Sequence, residues 1–143
     1  MSRVRYGMIG GGPGSFIGEA HRRSINIDGQ AELVAGVFSR SKEKSMETAK
    51  ALGVDPARCY SDFETMAKEE AAREDGIEFG CIVTPNVTHY PAAKAFLEAG
   101  IHVACDKPLC LNSEQADELC RLADEKGLLF LVTYTYMGHV TAK

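Results

Sequence analysis

The sequence predicts an α/β fold, a doubly wound parallel sheet of about six strands with helices on both faces. Three observations carry that prediction. Short apolar runs alternate with longer amphipathic stretches along the chain. Glycines stand where the amphipathic stretches stop, at Gly29, Gly53, Gly100 and Gly127. A cluster of glycines joins the first apolar run to the first amphipathic one. Strands alternating with helices of this length pair in parallel and are covered on both sides.

Val4 to Ile9 reads as a buried strand ending at the glycine cluster. Phe16 to Asp28 reads as a helix with Ile17, Ala20, Ser24 and Ile27 on one face. Ala31 to Phe38 is a second strand. Ser41 caps the next helix, which turns Met46, Ala49 and Leu52 inward. Cys59 and Tyr60 form a very short strand, and Ser61-Asp62-Phe63-Glu64 is a capping box for a charged helix running to about Asp75. Glu78 to Thr84 is a strand and Val87 to Ala99 a helix; Ile101 to Cys105 is a strand leading into the Asp106-Lys107-Pro108 turn. Asn112 or Ser113 caps a helix that carries Ala116, Leu119, Cys120 and Ala123 on one face. Leu128 to Thr133 is a last strand, and the tail from Tyr134 to Lys143 is too poor in apolar residues to form an element of its own. The chain reads as one domain, 1–143, stopping after its sixth strand as if a second domain should follow.

Composition narrows the function classes. The 143 residues are 45% apolar and 25% charged, as in an ordinary soluble domain. A net charge of −4 argues against a nucleic-acid or anionic-membrane partner. No secretory signal or transmembrane span is legible. Five cysteines without a Cys-x-x-Cys pair fit neither a disulfide framework nor a zinc site. They read as structural thiols in a reducing, cytoplasmic setting. Four scattered histidines give no metal-binding pattern.

The glycine cluster carries the strongest chemical signal. Gly10-Gly11-Gly12-Pro13-Gly14-Ser15-Phe16-Ile17-Gly18 lies between strand and helix, where backbone amides and a helix N-terminus favour a diphosphate. The same glycines also read as a tight turn only, but their place at the start of a strand-turn-helix unit favours binding. Gly18 stands six residues after Gly12, where the dinucleotide fingerprint has three. The second strand ends Phe38-Ser39-Arg40-Ser41 without the carboxylate that an NAD-preferring domain places against the ribose. Arg40 offers a planar fork for a 2′-phosphate, so the cofactor reads as NAD(P) with a lean towards NADP. Arg40, Lys42 and Lys44 also read as a solvated helix start. Thr84, Pro85, Asn86 and His89 follow the fourth predicted strand at the edge where such sheets bind ligands. Alone, they amount to a helix cap and a first-turn histidine. Asp106 and Lys107 follow the fifth strand on that edge; alone, they read as a surface pair in a turn.

Together these segments change the weighting. Gly18-Glu19-Ala20-His21 after the glycine turn, then Thr84-Pro85-Asn86-Val87-Thr88-His89, then Cys105-Asp106-Lys107-Pro108-Leu109, resemble the Gfo/Idh/MocA family of NAD(P)-dependent oxidoreductases. The resemblance runs from Val4 to about Tyr136. Where the family carries Glu-Lys-Pro, this chain has Asp106-Lys107-Pro108, which shortens the carboxylate's reach. The resemblance implies a Rossmann domain of an enzyme moving hydride between NAD(P) and a sugar, cyclitol or related substrate. It implies Lys107 as the catalytic residue near the nicotinamide, Asn86 and His89 lining the nicotinamide side, and Gly10 and Gly12 facing the pyrophosphate. It also implies a cis bond before Pro108. Family members add a second domain that supplies substrate contacts and the oligomer interface; that domain is missing here, so the isolated domain is expected to be inactive. A non-catalytic nucleotide or redox sensor is the rival reading, since fold does not fix function. A methyltransferase is the weaker one, for its chemistry gives Asp106-Lys107-Pro108 no task.

Overall fold

The computed structural model describes residues 2–134. Five parallel strands, β1 (Val4–Gly10), β2 (Ala31–Val37), β3 (Phe79–Val83), β4 (His102–Asp106) and β5 (Phe130–Thr133), form one sheet in the order β2-β1-β3-β4-β5. Between them run α1 (Phe16–Ile25), α2 (Lys42–Ala51), α3 (Phe63–Ala71), α4 (His89–Glu98) and α5 (Ser113–Lys126). Residues beyond Tyr134, including most of the predicted tail and Tyr136, lie outside the described residues.

The sheet has five strands where about six were expected. Cys59 makes a single parallel bridge to Gly36, supported by Tyr60 N–H donating to the Gly36 carbonyl. A one-turn helix at Pro56–Arg58 and the Asp62 cap of α3 leave too few free residues between them for a ladder. The bridge nevertheless stands outside β2, where an outer strand of a doubly wound sheet would lie.

Side-chain alternation sorts the two faces. Tyr6, Met8, Cys81 and Val83 turn towards α1 and α2, where Ile17, Ala49 and Leu52 pack on them. Ile9, Ile82, Val103 and Cys105 turn towards α3, α4 and α5 and meet Met66, Phe96, Leu97 and Leu119. Burial of each such large side chain contributes about 1.5–3 kcal/mol. On the first face the cover ends early: Leu129, just before β5, and Leu131, within it, are 75% and 59% exposed.

Several helix readings change. α1 stops at Ile25, which leaves Ile27 86% exposed; Ser24 lies within the helix on its exposed side, and the buried positions are Gly18 and His21. His21 takes the inward place because it sits three residues after Gly18, on the stripe that faces the sheet, where it meets Cys81 of β3 and Asp106 of β4. Asp62 caps α3, accepting from Thr65 N–H at 2.6 Å, while Ser61 donates to the Asp62 carboxylate at 2.7 Å. α3 ends at Ala71. Asn112 caps α5, and Cys120 faces solvent. Lys107-Pro108 is cis, as the resemblance implied.

Candidate functional site

The chain leaves β1 for β2 on one side and returns to β3 on the other, so strand order reverses between β1 and β3. Loops diverge there at the carboxyl edge and leave a crevice. A cavity of about 660 Å³ fills it. Gly10, Gly11 and Ser15 line it from the first turn, Ser39 and Arg40 from the exit of β2, Ser61 to Phe63 from the start of α3, and Thr84, Pro85, Val87 and Thr88 from the exit of β3. A neighbouring cavity of about 550 Å³ is lined by Gly12, Pro13, Gly14, Ser15, Phe38, Ser39, Lys44 and Glu47.

The turn is built from its glycines. Gly10 has φ +92, and a Cβ there would stand 2.7 Å from the Val83 carbonyl oxygen. A Cβ on Gly12 would stand 2.5 Å from the Phe38 carbonyl oxygen. Both neighbouring strand ends therefore press directly on the turn's backbone. Ser15 N–H closes the turn onto the Gly12 carbonyl at 3.0 Å, and the Ser15 hydroxyl caps α1 by accepting from Gly18 N–H at 3.1 Å. Among the described residues this leaves the Phe16 and Ile17 amides with no protein acceptor, as at any capped helix start. Arg22 reaches back from α1 and donates to the Gly11 carbonyl at 3.0 Å, bracing the turn from behind.

A dinucleotide fits these residues. The turn is flat because glycines face it, and two helix amides await an acceptor. Thr84 Oγ1, buried at the exit of β3, has no hydrogen-bond partner among the described residues. An orphaned hydroxyl on the wall of such a crevice suits a polar ligand edge.

The predicted residues are brought together unequally. Gly10, Ser39, Arg40, Thr84, Pro85 and Ser15 line the larger cavity, and Gly12, Pro13 and Gly14 the smaller. Phe16 is 84% exposed and borders a groove between α1 and α2 instead. Ile17 is packed against the core of the α1 face. Asn86 begins a one-turn helix and is exposed, outside either cavity lining. His89 is 1% exposed, with Nδ1 2.6 Å from the Pro108 carbonyl oxygen and Nε2 2.8 Å from that of Thr84. Asp106 accepts from the Thr133 hydroxyl at 3.0 Å and lies 3.6 Å from His21 Nε2. Lys107 is exposed on the same edge, one residue past β4.

Phe63, Val87, Thr88 and the Arg22 brace were not singled out as site residues from the sequence, and Gly11 was named only as part of the glycine turn. One signal was available: every loop that follows a parallel strand leaves at the carboxyl edge, and the Ser61–Phe63 segment follows the strand-like residues Cys59 and Tyr60. The thiols of Cys81 and Cys105 are pushed up to about 12, first by burial and then by the nearby Asp106 carboxylate. They stay protonated and unreactive at neutral pH.

A switch-point crevice roofed by a glycine turn defines a dinucleotide-binding α/β domain. The chain belongs to the Gfo/Idh/MocA oxidoreductase family, whose NAD-binding Rossmann fold model matches residues 4–134. It is 45% identical over 137 residues to YfiI, an uncharacterized oxidoreductase of Bacillus subtilis, covering 95% of this chain and 35% of that protein. It is 37% identical over 76 residues to IolW of the same organism, a scyllo-inositol 2-dehydrogenase (NADP(+)), covering 52% of this chain and 21% of that protein. The crystal structure of an inositol dehydrogenase homolog from Azotobacter vinelandii, complexed with NADH and myo-inositol, superposes with a TM-score of 0.93 at 43% identity. The match covers 96% of this chain and 36% of that one. The chain thus spans little more than a third of YfiI and of the Azotobacter protein.

Proposed function

We propose that this chain is the cofactor-holding part of an NAD(P)-dependent dehydrogenase acting on a cyclitol, sugar or related hydroxy or carbonyl compound. Thr84 on the crevice wall, whose buried hydroxyl has no hydrogen-bond partner among the described residues, carries the reading, together with the two amides at the start of α1 that have no protein acceptor among those residues. The named relatives, an inositol dehydrogenase homolog holding NADH and myo-inositol and a scyllo-inositol dehydrogenase, support the substrate class.

In this reading Gly10, Gly12, Pro13, Gly14 and Ser15 grip the diphosphate, with the Phe16 and Ile17 amides donating from the start of α1. Ser39 and Arg40 meet the adenosine ribose. Arg40, with Lys44 beside it, would hold a 2′-phosphate, which makes NADP the preferred cofactor. Thr84 and Pro85 stand at the nicotinamide end. A dinucleotide held there would supply hydride transfer to or from the substrate carbon. Lys107 exchanges the proton of the substrate hydroxyl, taking it in oxidation and returning it in reduction. Its neighbour Asp106 holds the strand end through Thr133. A second domain would complete the substrate pocket and the oligomer interface. All five cysteines are free, which suits a reducing compartment such as the cytoplasm.

Calorimetric titration tests the cofactor claim. NADP+ is expected to bind about tenfold more tightly than NAD+, the worth of one charge-assisted contact of ~1.4 kcal/mol, and Arg40→Ala should erase the difference. No heat with either nucleotide removes the reading. In an enzyme carrying both domains, Lys107→Ala should cut kcat by at least about a hundredfold with cofactor affinity nearly unchanged. An equal loss in both would make Lys107 a binding residue.

A further inference from the structure

Lys107 is an exposed side chain past the end of a strand, where a long amine has many positions open to it. Its backbone is tied on both sides. Ahead of it, Asp106 is held by the Thr133 hydroxyl of β5 at 3.0 Å, with His21 of α1 at 3.6 Å. Behind it, the Pro108 carbonyl meets Nδ1 of His89 at 2.6 Å, and the other nitrogen of that ring meets the Thr84 carbonyl at 2.8 Å.

We propose that His89 is a positioning residue, a rigid bridge that fixes the backbone after Lys107 at a set distance from the exit of β3. The proposal rests on Lys107 as the proton-transfer residue and extends that reading to the group that holds it. Both partners of the ring are carbonyl oxygens, which only accept, so the ring acts towards them as a donor. The ring is 1% exposed and both its nitrogens are engaged, which removes it from direct contact with a bound nicotinamide. The Thr84 carbonyl belongs to the residue whose hydroxyl stands orphaned at the cavity wall, so one imidazole links the cofactor crevice to the lysine segment. A flexible donor would reach either carbonyl but would not set the distance between them.

The test compares this chain with His89→Phe, which keeps the shape and removes both donors, and His89→Gln, which keeps an N–H donor. Wild-type His89 ring N–H signals should exchange slowly with solvent. In the folded His89→Phe variant, exchange at the Lys107 and Leu109 amides should quicken by about tenfold, the loss of one net hydrogen bond. Amides of β1 and α5 should keep their rates. His89→Gln should recover at least part of the protection. With NADP+ present, acylation of Lys107 should be suppressed in the wild type, not in His89→Phe although it still binds the nucleotide, and again in His89→Gln. Lys107 and Leu109 exchange left unchanged by His89→Phe, equal cofactor protection of Lys107 in all three forms, or wild-type ring protons exchanging like those of a surface histidine would each overturn the proposal. The exchange arm needs no ligand. Absent nucleotide binding by the wild type would sink the dinucleotide reading, while the His89 bridge is still decided by the exchange rates.

Discussion

A Cβ on Gly18 would lie 2.4 Å from the Gly11 Cα, so the first helix and the glycine turn touch through their backbones. Gly18→Ala must push α1 off the turn and should cost about 1–3 kcal/mol, read as a lower denaturation midpoint with an unchanged m-value. The contact also resolves the irregular glycine spacing. The loop from Gly12 to Ser15 closes on itself, so Gly18 still makes the close helix–strand approach of a third glycine despite the added residues. Thr84 sets up the opposite trade. Thr84→Val removes a buried hydroxyl that is unpaired among the described residues, at nearly constant shape, so the apo chain should gain up to about 1 kcal/mol while nucleotide affinity falls. A stability loss together with unchanged affinity would show that the hydroxyl serves the fold alone. Most of the lining was legible because glycines, Thr84 and Arg40 lie next to strand ends. The inward turns of Ile17 and His89 were not, since a residue in the first turn of a helix faces cavity or core according to where that helix lies on the sheet.

At the scale of elements, the caps are where local chemistry is most testable. The Asp62 carboxyl is held below the usual aspartate range by hydrogen bonds from Ser61 and Thr65. A lowered folded-state pKa means that its stabilisation is complete above the unfolded value of about 4 and is lost as pH falls through the folded value. Asp62→Ala should therefore cost about 1 kcal/mol at neutral pH, and the gap from wild type should close as pH falls through the folded-state value. A gap that persists in acid would show that the side chain acts through packing. The sequence located this cap to within one residue, choosing Ser61 where Asp62 does the work. Ser-x-x-Glu and Asp-x-x-Thr overlap there, and only the backbone's extended turn at Asp62 decides between them. The same limit lengthened α1. Ile27 fits a helical stripe on paper, but the helix has already ended at Ile25.

Across the whole molecule, a buried charge network joins elements that the sequence reading left separate. Arg58 forms a two-point pair with Glu70 on α3, both within the core, and Glu70 also accepts from the Tyr60 hydroxyl at 2.7 Å and from Ile77 N–H at 3.1 Å. Burial, reinforced by the Glu70 carboxylate, pushes the Tyr60 phenol above the usual tyrosine range. The network pins the turn before the Cys59 bridge, the end of α3 and the entry to β3 to one another. Glu70→Leu should cost about 3–5 kcal/mol because it leaves Arg58 in the core with only the more distant Asp75 as partner, and Arg58→Met added to it should recover much of that loss. Chemical denaturation of the two variants measures both steps. A double variant no more stable than Glu70→Leu would mean that the hydrogen bonds to Tyr60 and Ile77 carry the energy.

The sequence alone determined the alternation of strand and helix, the parallel sheet and the edge on which the candidate site lies. Each of these follows from periodicity, caps and strand-end residues, which are local properties of the chain. Tertiary structure decided the strand count, because Cys59 is allowed one bridge between two caps, and it decided which residues face the crevice. Pairing and burial depend on what lies opposite in space, and a residue's neighbours along the chain do not carry that information.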